Sequence, residues 1–128
     1  MLGDGRVIPA IPVEDLERSK TFYGETLGLE PIFVDLPGSQ LYKCGQGTYL
    51  VIYEESGSRP EQHVATFLVE AVEDKVAALR ERGVAFEEYD FPGLKTVNGI
   101  ATVGQVQGAW FKDPDGNVIG VVQLSTAI

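Results

Sequence analysis

The residues of this chain that could do chemistry are few and scattered. His63 is the only histidine and Cys44 the only cysteine. An imidazole can transfer a proton or ligate a metal, and Glu54 or Glu55, near the end of the fourth strand, is the carboxylate that could join it. One histidine without partners is not a metal site, because a protein-held ion takes three or four ligands. Cys44 would act as a nucleophile only with a base such as His63 beside it, and cysteine is among the most often buried residue types. No serine stands in a Gly-x-Ser-x-Gly turn, and the glycine-rich stretches lack the Lys-Ser/Thr ending of a phosphate loop. Glu54-Glu55 and Glu87-Glu88 alternate faces along an extended chain and read as solvated edges.

What remains is aromatic. The apolar runs Ala109–Phe111 and Val118–Leu124 flank Lys112-Asp113-Pro114-Asp115-Gly116-Asn117. Proline presets one backbone angle, glycine tolerates positive φ, and Asp and Asn side chains bond neighbouring backbone groups, so the stretch predicts a β-hairpin. A register that sets Phe111 against Ile119 places Trp110 opposite Gly120. A tryptophan facing a glycine either walls a slot for a flat apolar ligand or fills the space the glycine leaves. Tyr42, Tyr49 and Tyr53 sit on the middle strands of the first half, where a phenol can supply a polar contact or a weak acid, or stand half-buried with a wet tip.

These residues need elements to hold them. The 128 residues suffice for one domain with a real core, and 44% hydrophobic with 23% charged residues is ordinary for a globular protein. A net charge of -9 repels phosphate backbones and argues against nucleic acid as a partner. No apolar run reaches the ~20 residues of a membrane helix, and the first residues lack the basic and apolar regions of a secretory signal. One cysteine allows no intrachain disulfide, so a reducing cytoplasm is the expected location.

The chain reads as two similar halves, about 1–56 and 61–128, within a single domain spanning 1–128. The first half has a strand at about Val7–Val13, a helix capped by Asp15 and ended by Gly28, and strands at about Pro31–Asp35, Gln40–Cys44 and Thr48–Glu54. Pro9 and Pro12 lack N–H groups, which weakens the claim of the first strand to a central place. The second half has a strand at Val64–Val69, a helix starting at Glu73 or Asp74 and ended by Gly83, and strands at about Val84–Tyr89, Val106–Lys112 and Val118–Leu124. The segment between Asp90 and Gln105 reads as a long loop, with room for a short strand near Ile100–Val103.

Ile11-Pro12-Val13-Glu14-Asp15-Leu16-Glu17-Arg18-Ser19, Phe22-Tyr23, Leu27-Gly28-Leu29, Ala77–Val84 and the final hairpin together resemble the glyoxalase / bleomycin-resistance / extradiol-dioxygenase superfamily, the vicinal oxygen chelate fold. The resemblance implies an α+β fold of tandem βαβββ units. They form a curved mixed sheet with helices outside and ligand in a concave pocket. It also implies a homodimer. Metal-dependent members ligate a divalent ion with His or Gln from the first strand, Glu from the fourth, His or Gln from the fifth and Glu from the last. Counting from Asp15 puts Ile8 at the first of these positions, and counting from Gly116 puts Gly120 at the last. The fifth-strand position falls nearer Val64 than His63, and one residue of offset turns a side chain to the opposite face unless a bulge intervenes. The expectation is therefore no metal, with His63 the one weak candidate.

Strand alternation then assigns Ile8, Ala10, Tyr49, Tyr53, Val64, Thr66, Leu68, Trp110 and Gly120 to an apolar ligand pocket. The reading that follows is a metal-free protein that binds a small apolar or aromatic molecule. The alternative is a lyase, isomerase or dioxygenase of the same superfamily, with or without metal. A third possibility is a domain whose pocket its own side chains fill.

Overall fold

A computed structural model describes residues 2–4, 6–33, 35, 37–56 and 62–124. The chain forms two compact units, Met1–Arg59 and Pro60–Ile128, and the expected junction at Gly57–Pro60 lies outside the described residues. The architecture is α+β, with one mixed sheet in each unit.

In the first unit, β1 (Ala10–Val13), β2 (Glu30–Ile32), β3 (Ser39–Lys43) and β4 (Tyr49–Glu54) lie in the order β1-β4-β3-β2. β1 runs parallel to β4, and the other pairs are antiparallel. The edge position of β1 accommodates Pro12, which has no N–H to give a second neighbour. The strand is shorter than expected and starts only at Ala10, although the Pro9 carbonyl still accepts from Val51 N at 3.0 Å. β3 is displaced by one residue from the expected span, and β2 starts one residue earlier and ends three earlier than expected.

Between β1 and β2 runs α1 (Leu16–Lys20). Asp15 Oδ1 accepts from Arg18 N at 3.1 Å, as the capping pattern predicts, and Glu54 Oε2 accepts from Leu16 N at 3.2 Å. The helix then widens into a π-type turn over Thr21–Thr26, where Leu27 N donates to Phe22 O at 2.9 Å. Ile11, Val13, Tyr23 and Ile52 are fully buried, and Tyr42 and Leu50 nearly so, which makes this the core of the unit.

The second unit contains β5 (His63–Leu68), α2 (Val72–Glu81), β6 (Asp90–Phe91), β7 (Leu94–Val97), β8 (Ile100–Val103), β9 (Val106–Lys112) and β10 (Val118–Leu124). Their order is β5-β10-β9-β8-β7-β6, with β5 parallel to β10 and the remaining pairs antiparallel. α2 begins at Val72, earlier than Glu73, because Gln123 Oε1 supplies an acceptor for Val72 N at 2.9 Å. Val72, Val76, Ala109, Phe111, Ile119 and Val121 form its core.

Two expectations are corrected here. The expected strand over Val84–Tyr89 is a single bridge, Phe86 to Phe111, with Glu87 N donating to Trp110 O at 2.7 Å. The expected loop over 90–105 is three short strands. Asn98 (φ 54°) and Gly99 (φ 82°) both occupy the left-handed region, the geometry of the two-residue turn that matches strand twist.

The Asp113–Asn117 turn forms as its residues dictate. Asp113 Oδ1 accepts from Asp115 N and Asn117 N, each at 2.9 Å, and Oδ2 accepts from Asn117 Nδ2 at 2.8 Å. Asp113 and Asn117 are 4% and 2% exposed, so these bonds replace water for buried groups. The turn fixes the register of β9 on β10, with Phe111 opposite Ile119 and Trp110 opposite Gly120.

Candidate functional site

Each sheet packs one face into its own core and leaves the other face partly open. In the first unit, Ile11, Val13, Leu50 and Ile52 are buried, and the residues of opposite parity carry the open face. Ala10 lies beside Val51, Tyr53 beside Ser39, and Tyr49 beside Lys43. The Arg6 guanidinium stands 5.1 Å from the centre of the Tyr49 ring and donates to Gly47 O at 2.9 Å. A cavity of about 250 Å³ opens on this face, lined by Ile8, Ile32, Phe33, Leu41 and Val51 with Ser39 and Gln40. Of the first-unit residues assigned from sequence, Ile8 lines this cavity, and Ala10, Tyr49 and Tyr53 do not.

In the second unit, Trp110 defines the open face. An added Cβ at Gly120 would lie 3.2 Å from Trp110 Nε1 and 3.1 Å from Thr66 Oγ1. An added Cβ at Gly108 would lie 3.0 Å from Trp110 Cη2. The indole therefore lies flat across two glycines and fills the space they leave. Tyr89 stands beside it, its ring tilted by 58° with centroids 5.7 Å apart, and Phe91 lies a further 5.9 Å from Tyr89. Thr66 pairs with Gly120, and Leu68, 57% exposed, pairs with Val122. The result is a stepped aromatic platform with the Thr66 hydroxyl at its edge. Sequence reasoning missed Tyr89, Phe91 and Gly108. The Asn98-Gly99 hairpin signal would have drawn the segment carrying Tyr89 and Phe91 into the sheet.

The register of β5 shifts between Val118 and Ile119, so that His63 pairs with Val118 and Ala65 with Ile119. Val64 is thus the extra residue of a bulge, and it does not simply continue the alternation of Thr66 and Leu68. The same bulge removes the parity argument that set His63 apart, because Val118 and Gly120 share a face and His63 lies beside Val118. His63 is exposed at the end of the strand.

The remaining polar candidates are engaged elsewhere. Glu54 holds the start of α1. Glu88 is exposed and Glu87 half-buried, and both have partners: Glu88 Oε1 accepts from Gly99 N at 3.1 Å, and Glu87 stands 3.5 Å from Lys112 Nζ. Burial pushes the Cys44 thiol up, which lowers its thiolate fraction and its reactivity. Burial, and then the Glu17 carboxylate, push the Tyr42 phenol up. Among the described residues, no three or more His, Cys, Asp or Glu side chains gather where they could hold a metal ion. No helix among them is long and apolar enough to cross a membrane.

The sequence profile of one family, described as Glyoxalase/Bleomycin resistance protein/Dioxygenase superfamily, matches residues 7–121. No curated protein matches the chain. Among solved structures, an integron cassette protein from the mobile metagenome of the Halifax Harbour sewage outfall is 27% identical. The match covers 94% of this chain and 98% of that one, with a TM-score of 0.73. TnmS3, an antibiotic binding protein from Streptomyces sp. CB03234, is 30% identical over 94% of this chain and 97% of its own, with a TM-score of 0.67. A bleomycin resistance determinant encoded on the transposon Tn5 is 19% identical over 95% of this chain and 99% of its own, with a TM-score of 0.72, a likeness of fold alone.

Proposed function

The chain belongs to the glyoxalase/bleomycin resistance protein/dioxygenase superfamily, and from that premise we propose that it binds a small apolar or aromatic molecule without a metal ion. The observation that carries this reading is the exchange of a last-strand carboxylate position for Gly120, with the Trp110 indole lying over it. An indole face offers a large rigid area to a flat ring at low entropic cost. Thr66 Oγ1 and Trp110 Nε1 stand at the edge of that face, where they can orient a polar substituent of the ligand.

The donor chemistry supports the metal-free part. Ile8 and Gly120 offer no ligand atoms at two of the positions metal-dependent relatives use, and Glu54 is committed to the helix start. The likeness to an antibiotic binding protein at 30% identity supports binding as the function. The proposal extends to a homodimer in a reducing cytoplasm, on the family membership and the single cysteine.

The test is a thermal-stability screen of chelator-treated protein against flat aromatic compounds. A ligand that binds only the native state raises the melting temperature by mass action. The reading expects such shifts in wild type and their loss in Trp110→Ala. Shifts that appear only when a divalent ion is added back would overturn it.

A further inference from the structure

The segment from Phe86 to Phe91 divides its side chains between two tasks. Phe86 packs on Phe111 with ring centroids 5.6 Å apart, beneath the Arg80 guanidinium at 5.5 Å. Tyr89 and Phe91 build the aromatic step beside Trp110. Between them Glu88 turns back into the β7–β8 hairpin. Its Oε1 accepts from Thr96 Oγ1 at 2.5 Å and from Gly99 N at 3.1 Å. Thr96 Oγ1 in turn accepts from Tyr89 N at 2.8 Å, and Thr96 N donates to Tyr89 O at 2.9 Å. Arg80 Nη2 holds the same turn through Asn98 O at 2.7 Å. A chain of bonds thus runs from the turn through Glu88 and Thr96 to the backbone of Tyr89.

The ladder alone gives this region little rigidity. β6 has two residues and β7 has four, and hairpins of this size are marginal without added contacts. Thr96 is 8% exposed, so its hydroxyl depends on Glu88 and Tyr89 rather than on water. Loss of the Glu88 carboxyl would leave the Gly99 N–H short of an acceptor and the Thr96 hydroxyl with only its longer bond to Tyr89 O at 3.3 Å. Tyr89 would keep its bonds to Thr96, but the Thr96 hydroxyl that receives Tyr89 N would no longer be anchored to the turn, so the segment could tilt more readily.

We propose that Glu88 is a positioning residue for ligand recognition, which holds the Tyr89 ring against the Trp110 indole and so favours planar aromatic ligands over non-planar ones of the same size. The inference rests on the binding function proposed above, but its structural half can be read without any ligand. Trp110 is the only tryptophan, so intrinsic emission and its quenching by acrylamide report on the platform alone. Both accepted bonds end on one oxygen, which makes Glu88→Gln a conservative variant that keeps them and Glu88→Ala one that does not.

The experiment compares wild type, Glu88→Gln and Glu88→Ala for acrylamide quenching without ligand. It then compares their affinity for planar 2-naphthol with that for its saturated analogue, decahydro-2-naphthol. Glu88→Ala is expected to raise quenching about twofold and to lower the planar-to-saturated affinity ratio about fivefold, the scale of a population shift that one net hydrogen bond governs. Glu88→Gln is expected to match wild type in both. Should Glu88→Ala fold poorly, Thr96→Val cuts the same chain from its other end and carries the same expectation. Wild-type quenching and an unchanged ratio in the alanine variant would overturn the proposal, as would a glutamine variant as impaired as the alanine one. If 2-naphthol fails to bind wild type, the binding function falls and the selectivity with it, while quenching still decides whether Glu88 holds Tyr89 against Trp110.

Discussion

The packing of Trp110 over two glycines makes Gly120→Ala a sharp test of the site. Carbon atoms in ordinary contact lie about 3.5–4.0 Å apart. The new methyl would stand 3.2 Å from Trp110 Nε1, 3.3 Å from Cδ1 and 3.1 Å from Thr66 Oγ1. Thr66 can rotate away. The far edge of the indole already lies over Gly108, so relief requires the ring to shift out of the place that the two glycines provide. The conflict is overpacking, which costs about 1–3 kcal/mol, or a loss of roughly 5–10 °C in melting temperature for a chain of this size. Urea denaturation followed by circular dichroism reads the loss. Replacing Trp110 by Leu in the same chain should recover about 1 kcal/mol of it, a coupling energy typical of residues in contact. Gly45→Ala is the control, since nothing lies within 4 Å of its added Cβ, and it should fall within about 0.5 kcal/mol of wild type. A neutral Gly120→Ala, additive with Trp110→Leu, would refute the placement of the indole.

Other expectations follow from the turns and the titrating groups. Asp113→Ala strips the acceptor from Asp115 N, Asn117 N and Asn117 Nδ2 and should cost about 2–3 kcal/mol in urea denaturation, because the buried Asn117 loses two donated bonds. Asp113→Asn keeps one oxygen and should lose less. The raised Cys44 thiol should alkylate with iodoacetamide more slowly at mildly alkaline pH in the folded chain than in the unfolded one. The raised Tyr42 phenol makes its share of stability full below the unfolded pKa of about 10 and lost as pH rises beyond it toward the folded value. Tyr42→Phe should flatten that alkaline loss in a pH series of denaturation curves.

The elements that sequence reasoning located were those marked by local chemistry. Asp15 capped its helix, and Gly28 and Gly83 took the positive φ that ends one. The Asp113–Asn117 turn fixed its hairpin register, so the pairing of Trp110 with Gly120 was legible from residue order alone. The direction of the indole was not, because alternation gives the face of a side chain and not its lean along the strand, and so Gly108 went unnoticed. The bulge at Val64 broke a count that assumed regular alternation and changed the standing of His63. The widening at Thr21–Thr26, within which Tyr23 is buried, leaves no mark in the spacing of apolar residues. Asn98-Gly99 was the opposite case, a strong local signal inside a segment read as loop, and it carried the part of the sheet that holds Tyr89.

The measurement that bears most directly on the proposed function is calorimetric titration of chelator-treated protein with a flat aromatic ligand found by the stability screen, for wild type and Trp110→Ala. The account predicts wild-type binding with chelator present and a loss of about 30-fold in the variant, the equivalent of about 2 kcal/mol for a buried aromatic anchor. Binding that needs a divalent ion, or that survives the loss of the indole undiminished, would contradict it.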